Sequence, residues 1–278
     1  MAGHSSHYLE SQPEWDGELY AANTGHHRRY DDAFLATLPL RTTDRVLDIG
    51  CGSGDFTATV AALVPDGHVV GLEPQPSLIH EARGRSGRNQ TFVEAPAQQV
   101  AAALPADLGT FDVVMSRSVL HWIPWPDHRS ILEQCRLLLS PGGVLRVECG
   151  GGDNVREVVR FLDDLAAGIA GDRAVRAPWN FVHAGAYLDL LLETGFVVED
   201  GFVRTVAQRR SFDRESVLGW LHSQVAQAYE VGLRPDERAR LRAAVDERVD
   251  ELRRPDGTYD LTFVRLDFLV HAPARRSR

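Results

Sequence analysis

Three glycines in one short loop, with an acidic residue just before them, form the strongest chemical signal in the sequence. Residues 48–54 read Asp-Ile-Gly-Cys-Gly-Ser-Gly, after an apolar stretch and before a helix-forming one. Glycines let a backbone turn sharply and approach a ligand without clashes from Cβ atoms. A second acid, Glu73, ends the next apolar stretch, where a carboxylate can accept both hydroxyls of a ribose. The pattern predicts a nucleotide-like ligand at this loop.

The spacing of the glycines discriminates between two adenine-containing cofactors. The dinucleotide fingerprint G-x-G-x-x-G requires a third glycine at the position that Asp55 occupies. Asp48 brings nothing favourable to a pyrophosphate, but it attracts a ligand with a cationic amino group. The loop is therefore predicted to bind S-adenosylmethionine (SAM) rather than NAD.

The residues after the fourth apolar stretch are candidates for acting on a methyl acceptor. In-line displacement at a sulfonium needs mainly proximity and alignment, because the leaving group is already charged. A carboxylate acceptor would need only a binding group, typically Arg, whereas a phenol or a carbon acid would need a base, typically His. His121 is the candidate base. The alternative is a histidine that merely packs or caps a helix.

Several other side chains are candidates for contacting the acceptor, and each has a structural alternative. Arginines in loops are usually solvated, and aromatic clusters are more often core than pocket. His183 is a further candidate base, Arg173 a further candidate anion-binding group, and Phe181 a further pocket residue. The candidate substrate contacts are Tyr20, His27, Arg28, Arg117, Trp179, Tyr187 and His222.

Short apolar strands that alternate with helices must position these residues. Strands are predicted at 45–49, 68–73, 91–93, 111–116, 144–148, 196–206 and 261–271. Helix-sized crossovers between the early strands indicate a parallel sheet with helices on both faces. The predicted fold is α/β, a Rossmann-like, doubly wound sheet of seven mostly parallel strands. Asp153 is predicted to cap a helix that ends near Gly171.

The remaining segments are predicted to form a helical cap. Residues 1–40 form an N-terminal cap segment ahead of a domain at 41–278, and cap helices are inserted at about 151–194 and 214–254. The second insertion is expected to hold helices at roughly 214–231 and 235–254. Inserted helices on such a sheet usually cover the carboxyl ends of the strands, where ligands bind.

The composition excludes several classes of protein. The 278 residues are 44% apolar and carry a formal charge of -9, which argues against nucleic acid as a partner. All 30 basic residues are arginine, so lysine Schiff-base chemistry is excluded. Three scattered cysteines predict neither a disulfide framework nor a metal site. With no apolar run of membrane-spanning length and a polar, acidic start, a cytoplasmic enzyme or binding protein without a membrane partner is expected.

Together these motifs resemble those of the class I SAM-dependent methyltransferases, closely over about residues 41–150 and loosely over the two later strands. The segments that carry the resemblance are 48–54, 69–74, 111–116 and 139–143. Leu-His-Trp at 120–122, with Trp15, Asp16 and Tyr20, is similar to the trans-aconitate methyltransferase group and its natural-product relatives. The resemblance implies cofactor contacts from Asp48, Gly50, Cys51, Gly52, Gly54, Glu73, Pro74, Gln75, Ala97, Gln98 and Ser116.

The resemblance also implies where parts of the cofactor lie, with one departure. Asp48 and Gly50 would lie near the methionine portion, Gly52 and Glu73 at the ribose, Gln75 beside the adenine and Ser116 near the sulfonium. The family usually has an Asp that accepts from the adenine amino group, at the position of Pro96 here. The Ala97 N–H, Gln98 or Glu94 would have to substitute.

The expected function is transfer of the SAM methyl group to an oxygen or carbon of a small organic acceptor, in specialised metabolism. The Asn/Asp-Pro-Pro-aromatic motif common in nucleic-acid and glutamine N-methyltransferases is absent after the fourth strand, where residues 116–122 read Ser-Arg-Ser-Val-Leu-His-Trp. One alternative is a protein that binds SAM without methyl transfer. A second is an NAD-dependent oxidoreductase, which Asp55 disfavours.

Overall fold

A seven-stranded sheet forms the centre of the fold, in the order β3-β2-β1-β4-β5-β7-β6. The structure, a computed structural model, describes residues 28–274, with side chains described from residue 32. Strands β1 to β5 pair in parallel, and β7 runs antiparallel to β5. The strands are β1 (Arg45–Ile49), β2 (His68–Glu73), β3 (Gln90–Glu94), β4 (Phe111–Arg117), β5 (Leu139–Gly150), β6 (Val197–Phe212) and β7 (Tyr259–His271).

Helices connect the strands, and the predicted α/β fold is confirmed. The helices are α1 (Arg28–Leu35), α2 (Asp55–Leu63), α3 (Pro76–Gly84), α4 (Val100–Ala103), α5 (Trp125–Leu138), α6 (Arg156–Ala170), α7 (Ala184–Glu193), α8 (Arg214–Trp220), α9 (Ala226–Glu230) and α10 (Pro235–Arg248). Among the described residues, no helix is long and apolar enough to cross a membrane.

The central strand β1 is buried along nearly its whole length. Residues 46–49 are all buried, as expected for a strand with helices on both faces. Phe34 of α1 and Val60 of α2 pack with Val46 and Met115 on one side of the sheet. Burial of such a side chain contributes about 1.5–3 kcal/mol, so these contacts hold both helices against β1 and β4. Asp48 is the one ionisable group in this apolar strand interior.

Two helix boundaries differ from the sequence prediction. Asp153 does not cap α6: the residue directly before the helix is Val155, and the positive φ of Asp153 (64°) and of Val155 (42°) keeps both outside the right-handed helix. The helix starts at Arg156, whose Nε instead donates to the Asp153 carboxylate at 3.0 Å. The predicted continuous helix at 214–231 is interrupted by a π-helical turn at Leu221–Val225.

The chain divides into two compact units. Of the described residues, the sheet unit contains 31–152, 180–206 and 265–274, and the second unit contains 28–30, 153–179 and 207–264. In the second unit, Tyr229 is fully buried and its hydroxyl donates to Asp163 at 2.8 Å. Helix α7, which was predicted to be part of the cap, clusters with the sheet. A covering role for the other inserted helices stays a prediction.

Candidate active site

The three glycines of the loop after β1 serve different purposes. All have positive φ, at 75° for Gly50, 57° for Gly52 and 83° for Gly54. A Cβ on Gly50 would lie 2.1 Å from Val119, and one on Gly54 would lie 3.0 Å from Phe92, so these two glycines permit close packing. A Cβ on Gly52 would have no neighbour within 4 Å. Gly52 therefore leaves open space, as a ligand that approaches the loop requires.

Asp48 is a buried carboxylate that has one hydrogen-bond donor in the part of the chain that the structure describes. It is 3% exposed, and the Thr57 hydroxyl donates to its Oδ2 at 2.7 Å. Burial raises the pKa of Asp48 to about 6, against the opposing effects of Thr57 and the charge of Arg117. A carboxylate that pays for desolvation in this way gains from a cationic ligand group, such as the amino group of SAM.

Glu73 joins the glycine loop to the end of β2. Its Oε2 accepts from the Gly52 N–H at 3.1 Å, and its Oε1 accepts from the Gln75 N–H at 3.0 Å. Burial raises the pKa of Glu73 to about 7, and the two main-chain donors oppose this. Each carboxylate oxygen keeps a further lone pair for a ribose hydroxyl. Two predicted cofactor residues, Gly52 and Glu73, thus lie side by side.

The last residues of β4, Ser116 and Arg117, lie next to the glycine loop and Asp48. The buried Ser116 hydroxyl donates to the Ile49 carbonyl at 3.0 Å, across the β1–β4 pair. Arg117 is not a solvated loop residue: its guanidinium lies 4.1 Å from the ring centroid of Phe56 and 5.3 Å from that of Phe34. The cation–π contacts hold Arg117 near Asp48, whose carboxylate feels its charge.

The predicted adenine side holds one polar atom that lacks a protein partner. Pro96 precedes a 3₁₀ turn at Ala97–Gln99. The Gln98 Nε2 donates to Asp127 at 3.2 Å, whereas the buried Gln98 Oε1 has no hydrogen-bond partner among the described residues. A buried acceptor without a donor is costly, and an adenine amino group would satisfy it. The residues present therefore fit SAM.

Cys51 contributes its backbone to the loop and its thiol to the core. The side chain packs with Ile79, Ala82 and Phe92. Burial raises the pKa of the Cys51 thiol far above its usual range, so it remains a thiol and is unreactive. Among the described residues, no cluster of His, Cys, Asp or Glu could hold a metal ion.

His121 lies in a 3₁₀ turn after β4 with one ring nitrogen already engaged. The Gly150 N–H donates to its Nδ1 at 3.2 Å, and the rings of Trp122 and Phe181 lie 5.6 and 5.7 Å away. Burial, and then the nearby charge of Arg265, lower the pKa of His121 well below its usual value. In the neutral ring, the proton is then on Nε2. His121 is therefore a hydrogen-bond donor here, which disfavours its predicted role as a general base.

Arg265 is a functional candidate that the sequence analysis missed. It stands opposite Gly150 in the β5–β7 register. Its Nε donates to Glu148 Oε1 at 2.5 Å, and its Nη2 donates to the Ser118 hydroxyl at 2.7 Å. The signal in the sequence is a charged residue inside an apolar strand. Alternation alone does not distinguish such a residue from an arginine that is simply exposed to solvent on one face of the strand.

Tyr187 is placed in the core, which corrects its predicted substrate contact. The residue is 1% exposed, and its ring packs on Phe268 at 5.2 Å. The hydroxyl pairs with His128 Nδ1 at 2.8 Å, while His128 Nε2 pairs with the Ile123 carbonyl. Both ends of this buried pair are satisfied within the protein, so the tyrosine hydroxyl has a structural role.

Three other predicted contacts have partners of their own. In the second unit, Trp179 meets the Tyr229 ring edge-on at 6.1 Å, and His222 Nε2 lies 2.8 Å from the Asp246 carboxylate. Also there, Arg173 pairs with Glu237. Substrate contact by Trp179 and His222 stays a prediction.

Of the three N-terminal candidates, only Arg28 belongs to the residues that the structure describes. Tyr20 and His27 lie outside the described residues. Arg28 is the first residue of α1, and its side chain is not described. Their predicted contacts with the ligand stay predictions.

Comparison with known proteins finds relatives over nearly the whole chain. A family profile described as "Methyltransferase domain" matches residues 47–145. The chain is 30% identical over 262 residues to a trans-aconitate 2-methyltransferase of Methylobacterium radiotolerans, across 91% of this chain and 96% of that protein. A second trans-aconitate 2-methyltransferase, of Azoarcus sp., is 28% identical over 263 residues, across 93% and 98%. The structure of a cyclopropane synthase of Mycobacterium tuberculosis shares the fold, with a TM-score of 0.61 and 15% identity across 96% and 99%.

Proposed function

This chain belongs to the trans-aconitate methyltransferase group of the class I SAM-dependent methyltransferases, and we propose that it methylates a carboxylate oxygen of a small organic acid. It is a SAM-dependent methyltransferase, which removes the oxidoreductase and pure binding-module alternatives. The two curated relatives are named for trans-aconitate, a tricarboxylate, and this supports an acidic acceptor. Specialised metabolism and a cytoplasmic location stay predictions.

The observation that carries the proposal is the state of His121. Its Nδ1 accepts the Gly150 N–H and its pKa is lowered well below the usual value by burial, so the ring offers a proton on Nε2 and no free lone pair. Acceptors such as phenols and carbon acids need a base to become nucleophilic. A carboxylate is already ionised at neutral pH and needs none. A donor beside the acceptor suits a carboxylate better than a base does.

The residues of the sheet unit divide the work of holding the cofactor. Bound SAM would supply a methyl group attached to a cationic sulfur. An ionised oxygen can attack this methyl group in line, with the sulfur as the leaving group. Asp48 would hold its amino group and Glu73 its ribose hydroxyls, with Gly52 leaving room for the sugar. Gln98 would accept from the adenine amino group.

The same residues also set the orientation of the two reactants. Val119 packs against Gly50, so the turn that carries His121 is fixed to the glycine loop. His121 would donate from Nε2 to an acceptor oxygen and hold it in place. Because positioning is the main requirement of this reaction, a rigid connection between the two sites contributes directly to the rate.

The test is a methylation assay with a panel of acceptors of similar size. Purified protein and SAM are incubated with trans-aconitate, other di- and tricarboxylates, phenols and an amine, and products are identified by mass spectrometry. We expect a monomethylated acid that loses its methyl group as methanol in mild alkali, as an ester does. A methylated product that survives alkali would show ether or carbon methylation and would contradict the proposal. Asp48→Asn serves as the control with an impaired cofactor site.

A further inference from the structure

The side chain of Arg265 reaches from β7 to the segment that follows β4. At the carboxyl ends of the strands, Arg117 of β4 stands opposite Glu148 of β5 in the strand register, and Gly150 of β5 stands opposite Arg265 of β7. Strand β7 is two strands from β4, roughly 10 Å away. The Arg265 Nη2 nevertheless lies 2.7 Å from the Ser118 hydroxyl, in the segment that follows β4. The side chain of Arg265 therefore passes over β5, and its guanidinium lies beside the turn that carries His121.

Two neighbours hold the guanidinium in one orientation. Glu148 accepts from Nε at 2.5 Å, and Ser118 accepts from Nη2. The side chains of Arg265 and Glu148 are 19% and 12% exposed, so this pair is shielded but reachable. Among the described residues, Nη1 has no hydrogen-bond partner. An arginine that is already immobilised loses little rotamer entropy when a ligand binds it.

Ser118 is held in an unusual conformation to make this contact. Its φ is 56°, in the left-handed region that non-glycine residues seldom adopt. Its N–H donates to the Glu148 carbonyl at 2.7 Å, which ties the residue to β5. Backbone strain of this kind persists where the surroundings impose it, and it is concentrated at functional sites.

We propose that Arg265 binds a carboxylate of the acceptor and thereby selects acidic acceptors, with Glu148 and Ser118 as positioning residues. This inference rests on the proposed function and specifies how its acceptor is recognised. The planar guanidinium matches a carboxylate in geometry and charge, and the Nε2–H of His121 lies in the same region as a second donor. Glu148 balances part of the positive charge of Arg265, so the guanidinium is stabilised in this position without an acceptor.

The experiment compares an acid with its uncharged analogue. The acceptor identified in the panel and its carboxamide analogue are assayed with the wild type, Arg265→Gln and Arg265→Lys. Arg204→Gln is the matched control, because Arg204 likewise pairs with the carboxylate of a strand residue, Asp267 of β7 at 2.8 Å. We expect Arg265→Gln to raise the KM for the acid about tenfold or more, with a much smaller change in kcat and in the Kd for SAM. Arg204→Gln should leave all three unchanged.

The preference for the acid over the amide separates recognition from a structural effect. Arg265→Gln should lose this preference, whereas a merely structural change lowers kcat/KM for both acceptors alike. If Arg265→Gln does not fold, Arg265→Lys is the variant to use. It keeps the positive charge but lacks the paired N–H donors of the guanidinium, so it should also raise the KM for the acid. An unchanged preference in the folded variant overturns this inference alone. A wild type that methylates only uncharged acceptors overturns both this inference and the proposed function.

Discussion

The main-chain N–H of Gly150 donates to Nδ1 of His121 at 3.2 Å, and this bond places the proton of the neutral ring on Nε2. Gly150 is the last residue of β5, so the strand itself sets the tautomer of the histidine. A neutral imidazole has one donor and one acceptor nitrogen, and here the acceptor is used inside the protein. The consequences for pH dependence and for substitution are direct.

We expect the dependence of kcat on pH to show no histidine ionisation near neutrality. His121→Gln, which retains an N–H donor, should keep most of the activity, whereas His121→Phe should lose about tenfold or more, as for loss of a hydrogen bond to a charged group. Rates measured over the neutral range for the three proteins provide the check. A rate that falls with a pKa near ~6.5 in the wild type, and no longer does so in His121→Gln, would reinstate a general base.

Substitution of two loop glycines should separate ligand binding from stability. Gly52→Ala places a methyl group in open space, so we expect weakened SAM binding with a stability loss of only about 1–2 kcal/mol for the positive φ. Gly50→Ala places its methyl group 2.1 Å from Val119, so it should destabilise the fold considerably more. Calorimetric titration and chemical denaturation measure the two effects. Equal stability losses would contradict this division of roles.

Glu73 should contribute to both binding and folding. We expect Glu73→Gln to weaken SAM binding by about 1.5–3 kcal/mol, the range for hydrogen bonds to a charged group. Glu73 also has a structural role, because its carboxylate accepts the N–H groups of Gly52 and Gln75. Glu73→Ala should therefore also lower the free energy of unfolding, by about 1–3 kcal/mol. A Glu73→Ala variant as stable as the wild type would show that these two bonds contribute little.

Affinity for SAM should increase as the pH rises through about 6 to 7. Burial raises the pKa of Asp48 to about 6 and of Glu73 to about 7, and both must be ionised to receive the amino group and the ribose hydroxyls. Titrations at about pH 5.5 and about pH 8 should show tighter binding at the higher pH. Asp48→Asn should reduce this dependence. The same dependence in Asp48→Asn and wild type would assign it to another group.

The same ionisations affect stability with the opposite sign. Both pKa values lie above their ordinary values of 3.8 and 4.5, so the folded, ligand-free protein retains protons that the unfolded chain has released. The contribution of these two groups to the free energy of unfolding therefore falls as the pH rises from about 4 to about 7. Comparing denaturation of the wild type with that of Asp48→Asn isolates the share of Asp48. A share that increases with pH would contradict the raised pKa.

The sequence by itself predicted the residues that we propose hold the cofactor. Glycine spacing, an acid before the loop and an acid at the end of the next strand are all local features, because positive φ is a property of single residues and strand ends follow from apolar runs. The α/β fold followed from the same alternation. The tautomer of His121 and the burial of Tyr187 were not predictable in this way, because both depend on partners from distant segments.

Only the tertiary structure brought together the residues of the proposed acceptor site. Ser118 and Arg265 are 147 residues apart, and they meet because β7 inserts antiparallel beside β5 instead of extending the parallel order. No periodicity in the strand at 259–271 encodes that neighbour, since alternation specifies which face a side chain takes but not which strand lies next to it. The position of Arg265 is therefore a result of strand order, which packing of the whole sheet determines.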